Sequence, residues 1–203
     1  MPSPNELPEV LLVRARAGDA EALGRLLEMY RNYLRLQARA LLGQGLRVRV
    51  DPSDLVQETF LEAHRDFPSF AGGGERELVA WLRRILVRNL ADQAKRHQAQ
   101  GRDHRRQLSL EEMLQRSSDE VDAALGKGLS TPSALAARRE QSVVLADALA
   151  QLRPDDREVI VLRHVEGLKF EEIAARMGRT AGAVRVLWTR ALERLNHVME
   201  DLR

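Results

Sequence analysis

The segment FEEIAARMGRTAGAVRVLWT, residues 170–189, reads as two short helices joined by a tight turn at Gly178 and Arg179. Ile173, Ala174 and Met177 are apolar at helical spacing on the first helix, and Val184, Leu187 and Trp188 form the facing stripe on the second. Ala174 is small where two helices must cross closely. Gly178 stands where the turn needs a positive φ, which glycine adopts at little cost. The Thr180 hydroxyl is suited to cap the second helix. Small and polar residues (Thr180, Ala181, Gly182, Ala183, Arg185) open that helix, as at the end of a recognition helix that enters a DNA groove. An ordinary αα-hairpin shares the apolar spacing. The small residue, the glycine and the cap together point to a helix-turn-helix.

The rest of the chain fits an all-α protein. Of its 203 residues, 4% are aromatic and 31% charged, a composition of helical soluble proteins rather than of β-sandwiches or barrels. Without cysteine there is no disulfide, thiolate nucleophile or cysteine-ligated metal. The N-terminus lacks the basic and apolar regions of a signal peptide, and no run approaches a membrane span, so no membrane insertion is expected. The net charge of +2 says little about a nucleic-acid partner, but its distribution says more. Between Leu82 and Gln107 lie eight Lys or Arg against two acids, enough to neutralise phosphates locally. A solvated helix face followed by a loop would carry the same charges.

Ahead of the quoted segment, the chain reads as a series of amphipathic helices. A short one covers 9–17 and ends near Gly18. A longer one follows the cap Asp19, with Leu23, Leu26, Leu27, Tyr30, Leu34 and Ala38 as its stripe, ending at Gly43 and Gly45. Asp51 and Pro52 start the next, with Asp54 in the first turn. Its Val56, Phe60, Ala63 and Phe67 face the core, and Asp54, Gln57, Glu58, Leu61 and Arg65 the opposite side. SFAGGGERE (69–77) is expected to be a mobile loop and not a nucleotide cradle, since no GxxxxGK[ST] is present. A long helix runs from about Glu75 to His97, lined by Leu78, Trp81, Leu82, Ile85, Leu86, Asn89 and Leu90. Polar, acidic and Gly/Ser/Pro-rich residues then form a linker, with a stub helix at 110–115. A helix from Ser133 or Ala134 to Gln151, striped by Val144, Leu145, Ala148 and Leu149, and one over DREVIVLRHVEG precede the helix-turn-helix. The fold expected is therefore two small helical domains joined by a flexible linker.

Four segments, in order, resemble bacterial sigma-70 family RNA polymerase sigma factors of the extracytoplasmic-function type: GDAEALGRLLEMYRNYL, DLVQETFLEAHRDF, SFAGGGERELVAWLRRILVRNLADQAKRH and LRPDDREVIVLRHVEGLKFEEIAARMGRTAGAVRVLWTRALERL. The resemblance implies a domain at 1–100 that binds core polymerase and recognises and melts the −10 element, a linker at 101–133, and a −35-reading domain at 134–203. Core binding falls to Asp54, Leu55, Gln57, Glu58 and Leu61, against the clamp helices of the largest polymerase subunit. The −10 contacts fall to Phe70, Arg76, Arg84, Arg88, Asn89, Lys95 and Arg96, and the −35 contacts to Arg179, Thr180, Ala181, Ala183, Arg185, Val186 and Arg190. Trp81 is expected in the core, and Asn89 and Asp92 either orient the loop or touch bases. The second basic residue of the family's V-K-S-R pattern is replaced by Leu187, so reading there is weaker or apolar, for instance against a thymine methyl. The linker acids Glu111, Glu112, Asp119, Glu120 and Asp122 either mimic nucleic acid in the polymerase cleft or merely solvate a tether.

The partners so implied are core RNA polymerase (clamp helices and flap region), promoter DNA and an anti-sigma factor, in the bacterial cytoplasm, with no cofactor and no metal. A free-standing helix-turn-helix regulator with a sensing or dimerising N-terminal domain is the alternative, but has no need of segments 54–67 and 69–97. An enzyme is not expected. The five histidines are scattered, and no acid–base or nucleophile constellation is present.

Overall fold

The computed structural model describes residues 6–42, 50–98 and 132–202, which contain nine α-helices and no strand. The chain divides into two compact units, Met1–Arg116 and Ser117–Arg203. The acidic linker positions, the 110–115 stub, Gly43 and Gly45 lie outside the described residues.

In the first unit, α1 spans Pro8–Arg16, α2 Ala20–Met29, α3 Arg31–Leu41, α4 Pro52–Asp66 and α5 Glu75–Gln98, with one 3-10 turn at Phe67–Ser69. Local signals set the starts. The Asp19 carboxylate accepts from the Ala22 N–H at 2.9 Å, and the Asp51 carboxylate from the Ser53 N–H at 2.7 Å with Pro52 at the first helical position. One expectation needs correcting. The stripe from Leu23 to Ala38 belongs to two helices, not one, because the chain bends at Tyr30. Tyr30 is buried, and its hydroxyl donates to Glu75 at 2.8 Å, so a tertiary contact at the start of α5 fixes the bend. The apolar pattern continues across it because both halves pack on the same core.

That core gathers Leu11, Leu26, Leu34, Leu55, Leu78, Leu82, Leu86 and Leu90, all buried. Each contributes roughly 1.5–3 kcal/mol over an exposed position. α4 packs along α5 and on α3. It thereby turns Val56, Phe60, Ala63 and Phe67 inward and leaves Asp54, Gln57 and Leu61 exposed.

In the second unit, α6 spans Pro132–Gln151, α7 Pro154–Ile160, α8 Phe170–Met177 and α9 Ala181–Asp201. Ala146, Ala148 and Leu149 are the buried positions late in α6, while Val144 and Leu145 are only half-buried. α7 continues into a single wider π turn at Val161–Val165, with the Glu166 N–H bonded to the Val161 carbonyl at 3.0 Å. The turn of the helix-turn-helix is as the sequence predicts. Gly178 has φ +63°, and the Thr180 hydroxyl accepts from the Ala183 N–H at 3.2 Å. Ile173, Ala174 and Val184 are buried between α8 and α9.

Candidate functional site

On α4, Asp54, Gln57 and Leu61 face solvent on one side of a rigid helix, and Leu61 is 69% exposed. Among the described residues, none of these side chains has a hydrogen bond or ion pair. Glu58 is half-buried, with Gln93 of α5 donating to its carboxylate at 3.4 Å. Leu55 must be corrected. At 1% exposure it is a core residue that seats α4 and offers no surface to a partner.

Three polar rungs join α4 to α5. Besides Glu58–Gln93, Glu62 pairs with Arg88, and Asn89 donates to the Thr59 hydroxyl at 3.4 Å. Thr59 and Asn89 are buried, at 0% and 3% exposure. The Thr59 hydroxyl spends its proton on the Leu55 carbonyl at 2.7 Å, which leaves it free to accept from Asn89. Asn89, expected among the −10 contacts, is thus buried against α4 in the free protein, the second correction to the expected site. Its helical spacing with Ile85 and Leu86 carried that signal. Arg84, Arg88, Lys95 and Arg96 are exposed along α5, and Arg76 near its start. Lys95 leans on Asp92 at 3.6 Å.

The glycine loop is folded back on itself. Phe70 stacks on Phe67 (ring centroids 5.8 Å apart) and lies against Trp81 at 5.0 Å, with the Arg16 guanidinium 5.8 Å above its ring. A Cβ on Gly72 would meet the Phe70 ring at 2.3 Å and the Glu77 Cβ at 2.5 Å, so only glycine fits there. The Gly74 N–H donates to the Glu77 carboxylate at 3.1 Å. Half-buried Phe70 and Trp81 thus form an aromatic seat beside exposed cations. That is the combination used to hold unpaired bases and backbone.

In the second unit, the outward side of α9 carries Ala183, Arg185, Val186 and Arg190, all exposed, after Arg179 and Thr180 in the turn; Ala181 is half-buried. Two of these cations are held by acids from other helices. Arg185 donates to Glu171 at 2.8 Å and lies 5.3 Å over the Phe170 ring, and Arg179 pairs with Asp155. Arg190 has no such partner among the described residues. Val186 is 51% exposed, an apolar side chain among the cations, whereas Leu187 is half-buried. Behind the reading side, Trp188 Nε1–H donates to His164 Nε2 at 3.0 Å, their rings stacked 5.8 Å apart, and Phe170 meets Trp188 edge-on. Burial, and then the Arg163 charge, hold the His164 imidazole below its ordinary pKa, which favours the neutral acceptor this bond needs. Sequence reading missed this aromatic stack. Phe170 and Trp188 were visible, but the π turn that swings His164 onto them was not.

The first unit thus carries an aromatic seat beside exposed cations and a helix with Asp54, Gln57 and Leu61 exposed, and the second a helix-turn-helix with exposed cations. The Sigma-70 region 2 family matches residues 26–100, and the Sigma-70 region 4 family residues 142–195. The chain is 34% identical to the ECF RNA polymerase sigma factor SigD of Mycobacterium tuberculosis, over 92% of this chain and 81% of that protein. It is 32% identical to the ECF RNA polymerase sigma-E factor of Escherichia coli, over 96% of this chain and 95% of that protein. Among solved structures, that of the RsbN–BldN complex is similar, at 28% identity, a TM-score of 0.31, and coverage of 92% of this chain and 98% of that one. The chain therefore belongs to the extracytoplasmic-function family of bacterial RNA polymerase sigma factors, which bind core RNA polymerase and direct promoter-specific initiation of transcription.

Proposed function

We propose a division of this activity among named surfaces, without enzymatic chemistry and in the bacterial cytoplasm. Asp54, Gln57 and Leu61 on α4 dock core polymerase, with Glu58 at the edge of that face. Phe70 and Trp81, with Arg76, Arg84, Arg88, Lys95 and Arg96, take the melted −10 strand. Arg179, Thr180, Ala183, Arg185, Val186 and Arg190 meet the −35 duplex. Residues 1–100 and 134–203 are the two functional domains, and 101–133 is the tether.

The observation that carries this reading is Leu61, a large apolar side chain 69% exposed between unpaired Asp54 and Gln57 on a helix anchored by buried Leu55 and Val56. A helix packed on every side shows no such face. A docking surface does, since an apolar contact rimmed by polar groups is what interfaces present. Asp54→Lys should weaken co-elution with core polymerase while circular dichroism and thermal unfolding stay as in the wild type. Unchanged affinity for core would show that another face docks.

A further inference from the structure

An open groove of about 710 Å³ runs between the start of α7 and the outward side of α9. Four arginines line it: Arg153 before α7, Arg179 in the turn, and Arg190 and Arg194 on α9. Asp155 and Asp156 line it too, so it carries four positive and two negative charges, a net of +2.

The two acids are already engaged. Asp155 pairs with Arg179. Asp156, its side chain 3% exposed, accepts from Arg194 at 2.6 Å. The surplus charge therefore sits on Arg153 and Arg190, both exposed and without an acidic partner among the described residues. Arg190 and Val186, on the same wall of the groove, belong to the proposed −35 surface. Arg153 does not. It stands on the opposite wall, in the loop between α6 and α7, where its sequence context gives no hint of a ligand.

We infer that this groove is a phosphate-binding strip, in which Arg153 and Arg190 hold the sugar–phosphate backbone of promoter DNA beside the bases read by α9. The inference rests on the proposed −35 surface and adds a contact outside the helix-turn-helix. Three features select a polyanion of this kind. The groove is open to solvent between α7 and α9, so a backbone can approach it. Its unpaired groups are guanidinium ions, which bind phosphate oxygens in bidentate fashion. It also borders the helix expected in the major groove, where backbone contacts fix register and carry no sequence information.

A phosphate contact has a measurable signature. Each one lost lowers the slope of log affinity against log salt concentration by about 0.9. For Arg153→Gln, the loss of affinity at 50 mM salt should thus exceed that at 200 mM by about 3.5-fold. The experiment uses holoenzyme assembled from the full chain and core polymerase. Its probes are a labelled promoter selected by run-off transcription from a randomised library, and the same fragment with a scrambled −35 element. Arg153→Gln should flatten the salt slope by about one contact and weaken both fragments by the same factor. Arg153→Lys should restore the slope, since an ammonium also neutralises a phosphate.

An unchanged slope overturns the inference, and the proposed −35 reading survives it if wild-type holoenzyme still prefers the matched fragment. Loss confined to the matched fragment overturns it as well, because Arg153 would then be reading a base. Weaker binding of the variant to core without DNA also overturns it, as the groove would then dock protein. Wild-type holoenzyme indifferent to scrambling removes the −35 reading, and the inference falls with it.

Discussion

Glu171→Ala should strengthen promoter binding, although it removes a bond made by a predicted reading residue. Arg185 donates to Glu171 at 2.8 Å, with the two side chains 54% and 65% exposed. Exposed pairs of this kind contribute about 0.2–1 kcal/mol. On DNA the Arg185 guanidinium must leave the carboxylate to reach a base or a phosphate, so free protein holds back that amount from binding. Removing Glu171 returns it, a gain of roughly 1.4- to 5-fold in affinity. The fold loses little, since the charge at the first turn of α8 contributes about 0.3–1 kcal/mol with the helix dipole. Arg185 keeps its place over the Phe170 ring, so the side chain is still directed along α9. The assay is fluorescence anisotropy of a labelled promoter fragment titrated with holoenzyme, for wild type, Glu171→Ala, Arg185→Ala and the double variant. Glu171→Ala should bind more tightly, Arg185→Ala more weakly, and Glu171→Ala should add almost nothing once Arg185 is gone. Weaker binding by Glu171→Ala would refute the reasoning, because Glu171 would then be orienting Arg185 for DNA. An equal gain in the Arg185→Ala background would assign the effect to general repulsion.

Two further outcomes follow from the aromatic clusters. His164 accepts from Trp188 only when neutral, and burial and then Arg163 keep it below its ordinary pKa. Above about pH 6.5 both folded and unfolded states are neutral there, so the bond's contribution is complete. As pH falls below that value the unfolded chain takes the proton first, and stability drops. The urea midpoint of wild type should therefore fall more steeply than that of His164→Gln between pH 7 and 5; parallel curves would count against the bond. In the first unit, Gly72→Ala places a Cβ 2.3 Å from the Phe70 ring and 2.5 Å from the Glu77 Cβ. The loop must lift Phe70 from Trp81, at a cost of about 1–3 kcal/mol. Trp81 fluorescence should change and open-complex formation slow. An unaltered rate despite altered fluorescence would show that the Phe70 seat is not needed for melting.

The helix-turn-helix was legible because each of its requirements is local. Gly178 supplies the positive φ, Thr180 caps within three residues, and Ile173, Ala174 and Val184 fall on one interface. Helix starts at Asp19 and Asp51 were legible for the same reason. What escaped the sequence depends on contacts between distant positions. The bend at Tyr30 is fixed by Glu75, 45 residues away, while the apolar stripe runs through it unbroken. Leu55 and Asn89 lie beside true surface positions on their helices, and only the packing of α4 against α5 decides that both are buried. Arg179 and Arg185 read as free cations because their partners, Asp155 and Glu171, are 24 and 14 residues away. Arg153 carried no local signal, since its interest comes from a wall of the groove that α9 supplies.

These ion pairs bear on why such a protein works as a dissociable subunit. Long-range attraction to DNA scales with the phosphates a surface can neutralise. In the second unit, Glu171, Asp155 and Asp156 already occupy Arg185, Arg179 and Arg194. In the first, Glu62 and Asp92 engage Arg88 and Lys95. Each surface is left with fewer free cations, which weakens its long-range attraction to DNA by itself. The proposed docking through Asp54, Gln57 and Leu61 changes this. Polymerase holds both surfaces near one promoter, and the second contact becomes intramolecular, so two weak affinities combine multiplicatively. The Glu58–Gln93, Glu62–Arg88 and Thr59–Asn89 rungs tie the proposed docking helix to the cationic helix.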